Sequence, residues 1–241
     1  MSGHSKWNNI KHKKEKSDAA KAKIFTKIGK EMAVAIKAGG PDPSVNSKLR
    51  DLIAKAKANN VPNENIQRTI KKFTDNSDIS YEEISYEGYG PSGVAIIVET
   101  STDNRNRTAG NVRAWFNKYG GNLGQNGCVG YLFEEKGVIT IIDEDDEIDE
   151  DKIMEDALES GAEDIRNNDG EYKIFTSTED FDAVRDAIIS LGYKIETADL
   201  AKVPSTYVEL TSEEDVENME KMLDKFNEDD DVTAVYTNWD N

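Results

Sequence analysis

Apolar residues recur every three or four positions through the first third of the chain. Beyond that they alternate, or gather in short runs bounded by glycine and asparagine. The first pattern predicts amphipathic helices and the second predicts strands joined by turns. A helix is expected over residues 17–38, capped by Ser17 or Asp18 and stopped by Gly39-Gly40-Pro41. At about 100° per residue, Phe25, Ile28, Met32, Ala35 and Ile36 share one sector, and Lys16, Lys23, Lys27, Lys30 and Lys37 gather on the opposite side. A second helix is expected over 44–58, with Leu49, Leu52, Ile53 and Ala56 as its stripe. Pro62 then opens a third helix, which turns Ile66, Ile70 and Phe73 inward and Arg68, Lys71 and Lys72 outward. These helices form a bundle whose outer faces are basic.

From residue 77 the period changes. Strands are expected at 81–87 and 94–99 around a glycine-rich turn at 88–93. A helix through Ala109, Val112, Trp115 and Phe116 ends at Gly120-Gly121, and a strand follows near 129–133. Residues 137–197 then read strand 137–142, helix 149–160, strands 162–167 and 171–176, helix 179–191 and strand 193–197. Asn168-Asp169-Gly170 marks the hairpin between the two middle strands. That order, βαββαβ, is ferredoxin-like. A strand at 206–210, a helix opened by Thr211-x-x-Glu214 and a strand at 233–237 complete the chain. Joined to residues 94–133, they give the same order again. The expected fold is therefore α+β, a basic three-helix domain at 1–76 followed by two ferredoxin-like α/β modules. One module spans 77–133 plus 204–241, and the other, 134–203, is inserted in it.

Charge divides along the same line. Residues 1–72 hold 17 Lys+Arg against 6 Asp+Glu, a net of +11, and the remaining residues hold 13 against 42, a net of −29. A whole-chain charge of −18 thus hides a basic head on an acidic body, the pattern of a polyanion-binding head on a solubilising carrier. The strongest concentration lies in residues 3–14, where His4, Lys6, Trp7, Lys11, His12, Lys13 and Lys14 set flat rings among cations. Lysine neutralises phosphate, and indole and imidazole offer faces to unpaired bases. With Lys16, Lys23, Lys27, Lys30 and Lys37 these residues make up the candidate surface. Arg105 and Arg107, at a helix start in the acidic body, are either anion contacts or partners of neighbouring carboxylates.

Other chemistry finds little support. Cys128 is the single cysteine, so no intrachain disulfide is possible; a small buried role and a reducing, cytoplasmic setting are expected. No histidine follows His12, which leaves triads and zinc sites without members. The run Asp143-Glu144-Asp145-Asp146-Glu147 lacks the sixth-position glycine of a calcium loop, since Ile148 stands there. The glycines near residue 90 precede a strand and no Gly-Lys-Ser/Thr, unlike a phosphate loop. No cofactor, metal, membrane segment or small-molecule substrate is expected, and the chain is read as a monomer that is not an enzyme.

Several stretches resemble the YebC/PmpR family: Gly3-His4-Ser5-Lys6-Trp7, Ile10-Lys11-His12-Lys13-Lys14, Lys23-Ile24-Phe25-Thr26-Lys27 and Asn65-Ile66-Gln67-Arg68 in the head; and Tyr86-Glu87-Gly88-Tyr89-Gly90-Pro91, residues 102–108 and Gly120-Gly121-Asn122-Leu123-Gly124 in the body. The resemblance covers essentially the whole chain, and Asn8-Asn9 is its one visible departure. It implies a three-domain architecture and a gene-expression factor. Members are described as transcriptional regulators that bind DNA, mitochondrial relatives as translational activators, and some bacterial members as factors relieving ribosomes stalled on proline runs. The stacking groups Trp7 and His12 favour RNA at the ribosome. Duplex DNA is the alternative.

Overall fold

In a computed structural model, residues 18–75, 80–143 and 147–240 are described. Helices α1 (Asp18–Gly39), α2 (Ser47–Ala58) and α3 (Asn63–Asp75) form the head. Ile28, Met32, Ala35 and Ile36 of α1 meet Leu49, Leu52 and Ala56 of α2 and Ile66 of α3 in one buried cluster, as the helical period requires. The second helix starts three residues later than expected because Asn46, rather than Ser44, caps it. The Asn46 side chain accepts from the Leu49 N–H at 3.1 Å and donates to the carbonyls of Ala35 and Gly40, each at 2.8 Å. Ser44 instead donates its hydroxyl to Asp42 in the preceding turn.

Strands β1 (Glu82–Tyr89) and β2 (Ala95–Thr102) form a hairpin around the turn Pro91–Gly93. Helix α4 (Arg105–Lys118) follows, then the two-residue strand β3 (Asn122–Leu123). Much later in the chain come β8 (Val208–Glu209), α7 (Glu213–Glu228), β9 (Val232–Thr237) and β10 (Trp239–Asp240). The sheet order is β3-β1-β2-β9, all antiparallel, while β8 pairs only with β10. Helix α7 buries Met219, Met222, Leu223 and Phe226, and the Phe226 ring lies 5.3 Å from that of Phe116 on α4. Gly88 passes so close beneath α4 that a Cβ there would stand 2.9 Å from Phe116.

Two strand expectations for this module change. Residues 130–132 form a 3-10 turn rather than a strand, and the stretch expected at 206–210 stays out of the main sheet. The first change has a local cause. Glu87 turns its carboxylate onto the loop, where Oε1 accepts from the Gly127 N–H at 2.9 Å and Oε2 from Val129 and Gly130 at 2.9 and 2.7 Å. Those donors are then no longer available to a ladder. Cys128 in this loop is half-buried, and burial raises its thiol pKa.

The segment Leu132–Tyr207 is a separate compact unit interrupting the other in sequence. It runs β4 (Phe133–Ile142), α5 (Glu150–Glu159), β5 (Asp164–Asn168), β6 (Glu171–Thr176), α6 (Phe181–Ser190) and β7 (Ile195–Pro204), in sheet order β5-β6-β4-β7. All pairs are antiparallel, with the first and third strands central, as in the ferredoxin-like arrangement. Ile139, Ile141, Tyr172 and Ile174 from the sheet pack on Ile153, Ala157, Val184 and Ile188 from the helices. Asp169 and Gly170 take φ of 49° and 85°, the left-handed pair that a two-residue hairpin demands. β4 and β7 pair from Phe133 opposite Pro204 onward, and the Ser205 N–H donates to the Leu132 carbonyl at 2.9 Å. Both ends of the inserted unit therefore leave side by side. No helix among the described residues is long and apolar enough to cross a membrane.

Candidate nucleic-acid interface

Of the lysines expected on one face of this helix, Lys23, Lys27, Lys30 and Lys37 are described, and the structure places them against the chain itself. Lys27 Nζ donates to the Asn227 carbonyl at 3.0 Å, and Lys30 Nζ donates to the Asp230 carbonyl at 3.0 Å and to Asp231 Oδ1 at 2.6 Å. Lys23 donates to the Glu228 carbonyl. In the last turn of the helix, Lys37 reaches Ser80 Oγ at 2.5 Å. His4, Lys6, Trp7, Lys11, His12, Lys13, Lys14 and Lys16 lie outside the described residues. On α2 and α3 the cations Arg50, Lys57, Arg68, Lys71 and Lys72 are exposed, with Arg68 paired to Glu64 at 2.9 Å and Lys72 5.2 Å above the Phe73 ring.

Asp231, a residue that the sequence pattern did not single out, organises the other end of this contact. Its side chain is 4% exposed. Oδ2 accepts from Arg107 Nη2 at 2.6 Å and Nε at 3.2 Å, from Thr108 Oγ1 at 2.8 Å and from Thr102 Oγ1 at 3.2 Å, while Oδ1 takes Lys30. Burial by itself would raise the pKa of this carboxyl. Hydrogen bonds from Lys30, Arg107 and Thr108 outweigh that and hold it at about 2. Arg107 also bonds Asp103 at 2.8 Å, and its two carboxylate partners, Asp231 foremost, push its own pKa upward. The two arginines thus part company. Arg107 joins α4 to the turn before β9, while Arg105 is exposed, near enough to the buried Tyr86 phenol for its charge to oppose the upward push of burial there. Nothing local in Glu228-Asp229-Asp230-Asp231 distinguishes the last residue; only the pairing of β2 with β9 brings it to Thr102 and Arg107.

Between these groups lies an open cleft of about 700 Å³ lined by Lys30, Arg107, Trp115, Lys225, Glu228, Asp229, Asp230 and Asp231. Its charges are mixed, and Trp115 meets Phe226 edge-on at 5.8 Å. Among the described residues no group of three or more His, Cys, Asp or Glu is arranged to hold a metal ion.

Comparison with known proteins addresses the whole chain. Residues 5–76 match the TACO1/YebC protein N-terminal domain, and residues 81–239 match the TACO1/YebC second and third domain. The chain belongs to the TACO1/YebC family. It is 55% identical to a protein of Acetivibrio thermocellus, covering 99% of both chains, and 55% identical to one of Agathobacter rectalis, covering 100% of both. Each of these TACO1/YebC relatives is named "Probable transcriptional regulatory protein". Among solved structures it is similar to a conserved hypothetical protein from Aquifex aeolicus, with a TM-score of 0.83 and 42% identity over 92% of this chain and 91% of that one.

Proposed function

We propose that this chain is a regulator of gene expression that acts by binding nucleic acid through its head, without catalysis or a cofactor, as a cytoplasmic monomer. The observation that carries the reading is the partition of charge, +11 in residues 1–72 against −29 in the rest, with Arg50, Lys57, Arg68, Lys71 and Lys72 exposed on α2 and α3. A helical head of that sign gains affinity by releasing the counterions of a polyanion, and the acidic body keeps the rest of the molecule off it. The names of the relatives support a regulatory role. Among ligands, RNA at the ribosome is favoured, because Trp7 and His12 stand among lysines as stacking groups for unpaired bases. Duplex DNA is the second reading, which those names favour.

The test is a salt titration of the full chain on single-stranded RNA and duplex DNA of matched sequence. Binding should weaken linearly in log–log form, and replacing Lys11, Lys13 and Lys14 by Ala should reduce the slope on RNA by about 2. Trp7→Ala should cost roughly tenfold at every salt concentration, since stacking releases no ions. Tighter binding to duplex DNA, with Trp7→Ala silent, gives the ligand to DNA. Absence of salt-dependent binding to either removes the proposal.

A further inference from the structure

Helix α1 has two working faces. Ile28, Met32, Ala35 and Ile36 close a hydrophobic cluster whose buried members all come from α1, α2 and α3. The other face carries Lys23, Lys27 and Lys30, and all three ammonium groups meet the end of α7 and the turn after it. Their acceptors are the carbonyls of Asn227, Glu228 and Asp230 and the carboxylate of Asp231, with the Asp230 carboxylate 4.0 Å from Lys23. The last carbonyls of a helix carry its negative pole, and here four acidic residues, Glu228 to Asp231, follow in succession. Three cations on one helix face thus meet a short row of carbonyl and carboxylate oxygens from residues 227, 228, 230 and 231. A sugar–phosphate strand presents the same kind of row.

Further ties join the head to the β1 end of the sheet module. Lys48 pairs with Glu83 at 2.6 Å and Lys37 with Ser80 at 2.5 Å, and Phe73 meets Tyr81 edge-on at 6.1 Å. Contacts between exposed charges are individually weak and are screened by salt, so a denser polyanion can replace them, while the buried Lys30–Asp231 pair is the strongest tie it has to displace.

We infer that the C-terminal end of α7 is a built-in substitute for a phosphate backbone, covering the lysine face of α1 in the free protein and yielding it to single-stranded nucleic acid. The inference rests on the nucleic-acid reading above and adds to it a competitor for the part of the surface formed by Lys23, Lys27 and Lys30. On binding, strand phosphates take over the three ammonium groups, the oxygens of residues 227–230 pass to water, and the buried Asp231 keeps Arg107 and Thr108 as partners. The head then keeps its fold, because its apolar cluster does not depend on the contact.

The experiment uses the full chain and an oligouridylate of about 20 nucleotides. Glu228→Gln with Asp230→Asn removes two negative charges beside the lysine face at exposed positions and leaves the carbonyl acceptors in place. Glu213→Gln with Glu214→Gln makes the same charge change at the other end of α7, where both side chains are exposed. The first pair should bind about three- to tenfold tighter than the unaltered chain, and the second less than about twofold tighter, because only the first lowers the negative charge beside the lysine face. Hydrogen exchange of a peptide covering residues 227–232 should speed up when the unaltered chain is saturated with the oligonucleotide. Equal gains for the two pairs, or slower exchange at 227–232 in the complex, overturn the covering role while leaving nucleic-acid binding in place. Failure of the unaltered chain and both variants to bind RNA or DNA overturns the parent reading and this one with it.

Discussion

A single carboxylate shows how much of this molecule hangs on one long-range contact. Asp231 has its pKa lowered from 3.8 to about 2, so it favours the folded state when ionised. That contribution is complete above the unfolded value near 4 and is lost as pH falls towards 2. A shift of this size corresponds to about 2 kcal/mol. Asp231→Asn should therefore lower stability by about 2 kcal/mol above pH ~5, and the gap to the unaltered chain should close by roughly half at about pH 3. Urea melts at several pH values check this, and a gap independent of pH would place the stabilisation in packing instead. The same residue marks the limit of sequence reading. Asn168-Asp169-Gly170 announces its hairpin because the backbone geometry is local to three residues. Asp231 is one acid in a run of four, and its partners Lys30, Thr102, Arg107 and Thr108 lie more than a hundred residues away.

At the scale of elements, hydrophobic period located the helices well, because each buries a single stripe. Its errors fall where a side chain intervenes in the backbone's hydrogen bonding. Asn46 moved the start of α2, and Glu87 turned the apolar run Val129-Gly130-Tyr131-Leu132 from a strand into a turn. The lysines of α1 were placed on the correct side of the helix, but what faces them came from α7, which no local pattern reveals. Asn46 also ties two helices together, since it caps α2 while donating to the carbonyls of Ala35 and Gly40 at the end of α1. Asn46→Ala should cost about 2 kcal/mol, combining a lost cap with carbonyls left without this donor. The urea midpoint should fall with the slope unchanged. A loss below about 0.5 kcal/mol would mean that another group takes over the cap.

At the scale of the molecule, the alternation of basic head and acidic body was visible in composition, and the inserted α/β unit in the order of its elements. What composition could not supply was that the head's lysines spend their charge on the same chain. The inserted unit has its own buried cluster, and its first and last residues adjoin through Leu132 and Ser205. Residues 132–207 alone should therefore fold with a cooperative thermal transition and the circular dichroism of a mixed α/β protein. A fragment without a transition would show that the surrounding sequence is needed to complete it.

The insertion also sets a timetable. Translation at about 5–20 residues per second puts roughly 4–15 seconds between the emergence of Tyr131 and that of Val208. During that interval β2 waits with one edge open for β9, and Lys30 and Arg107 wait for Asp231. The inserted unit, made of neighbouring segments, can finish folding in the pause. The first sheet is completed from the last tenth of the chain, so a nascent protein halted before residue 227 would carry Lys23, Lys27 and Lys30 uncovered.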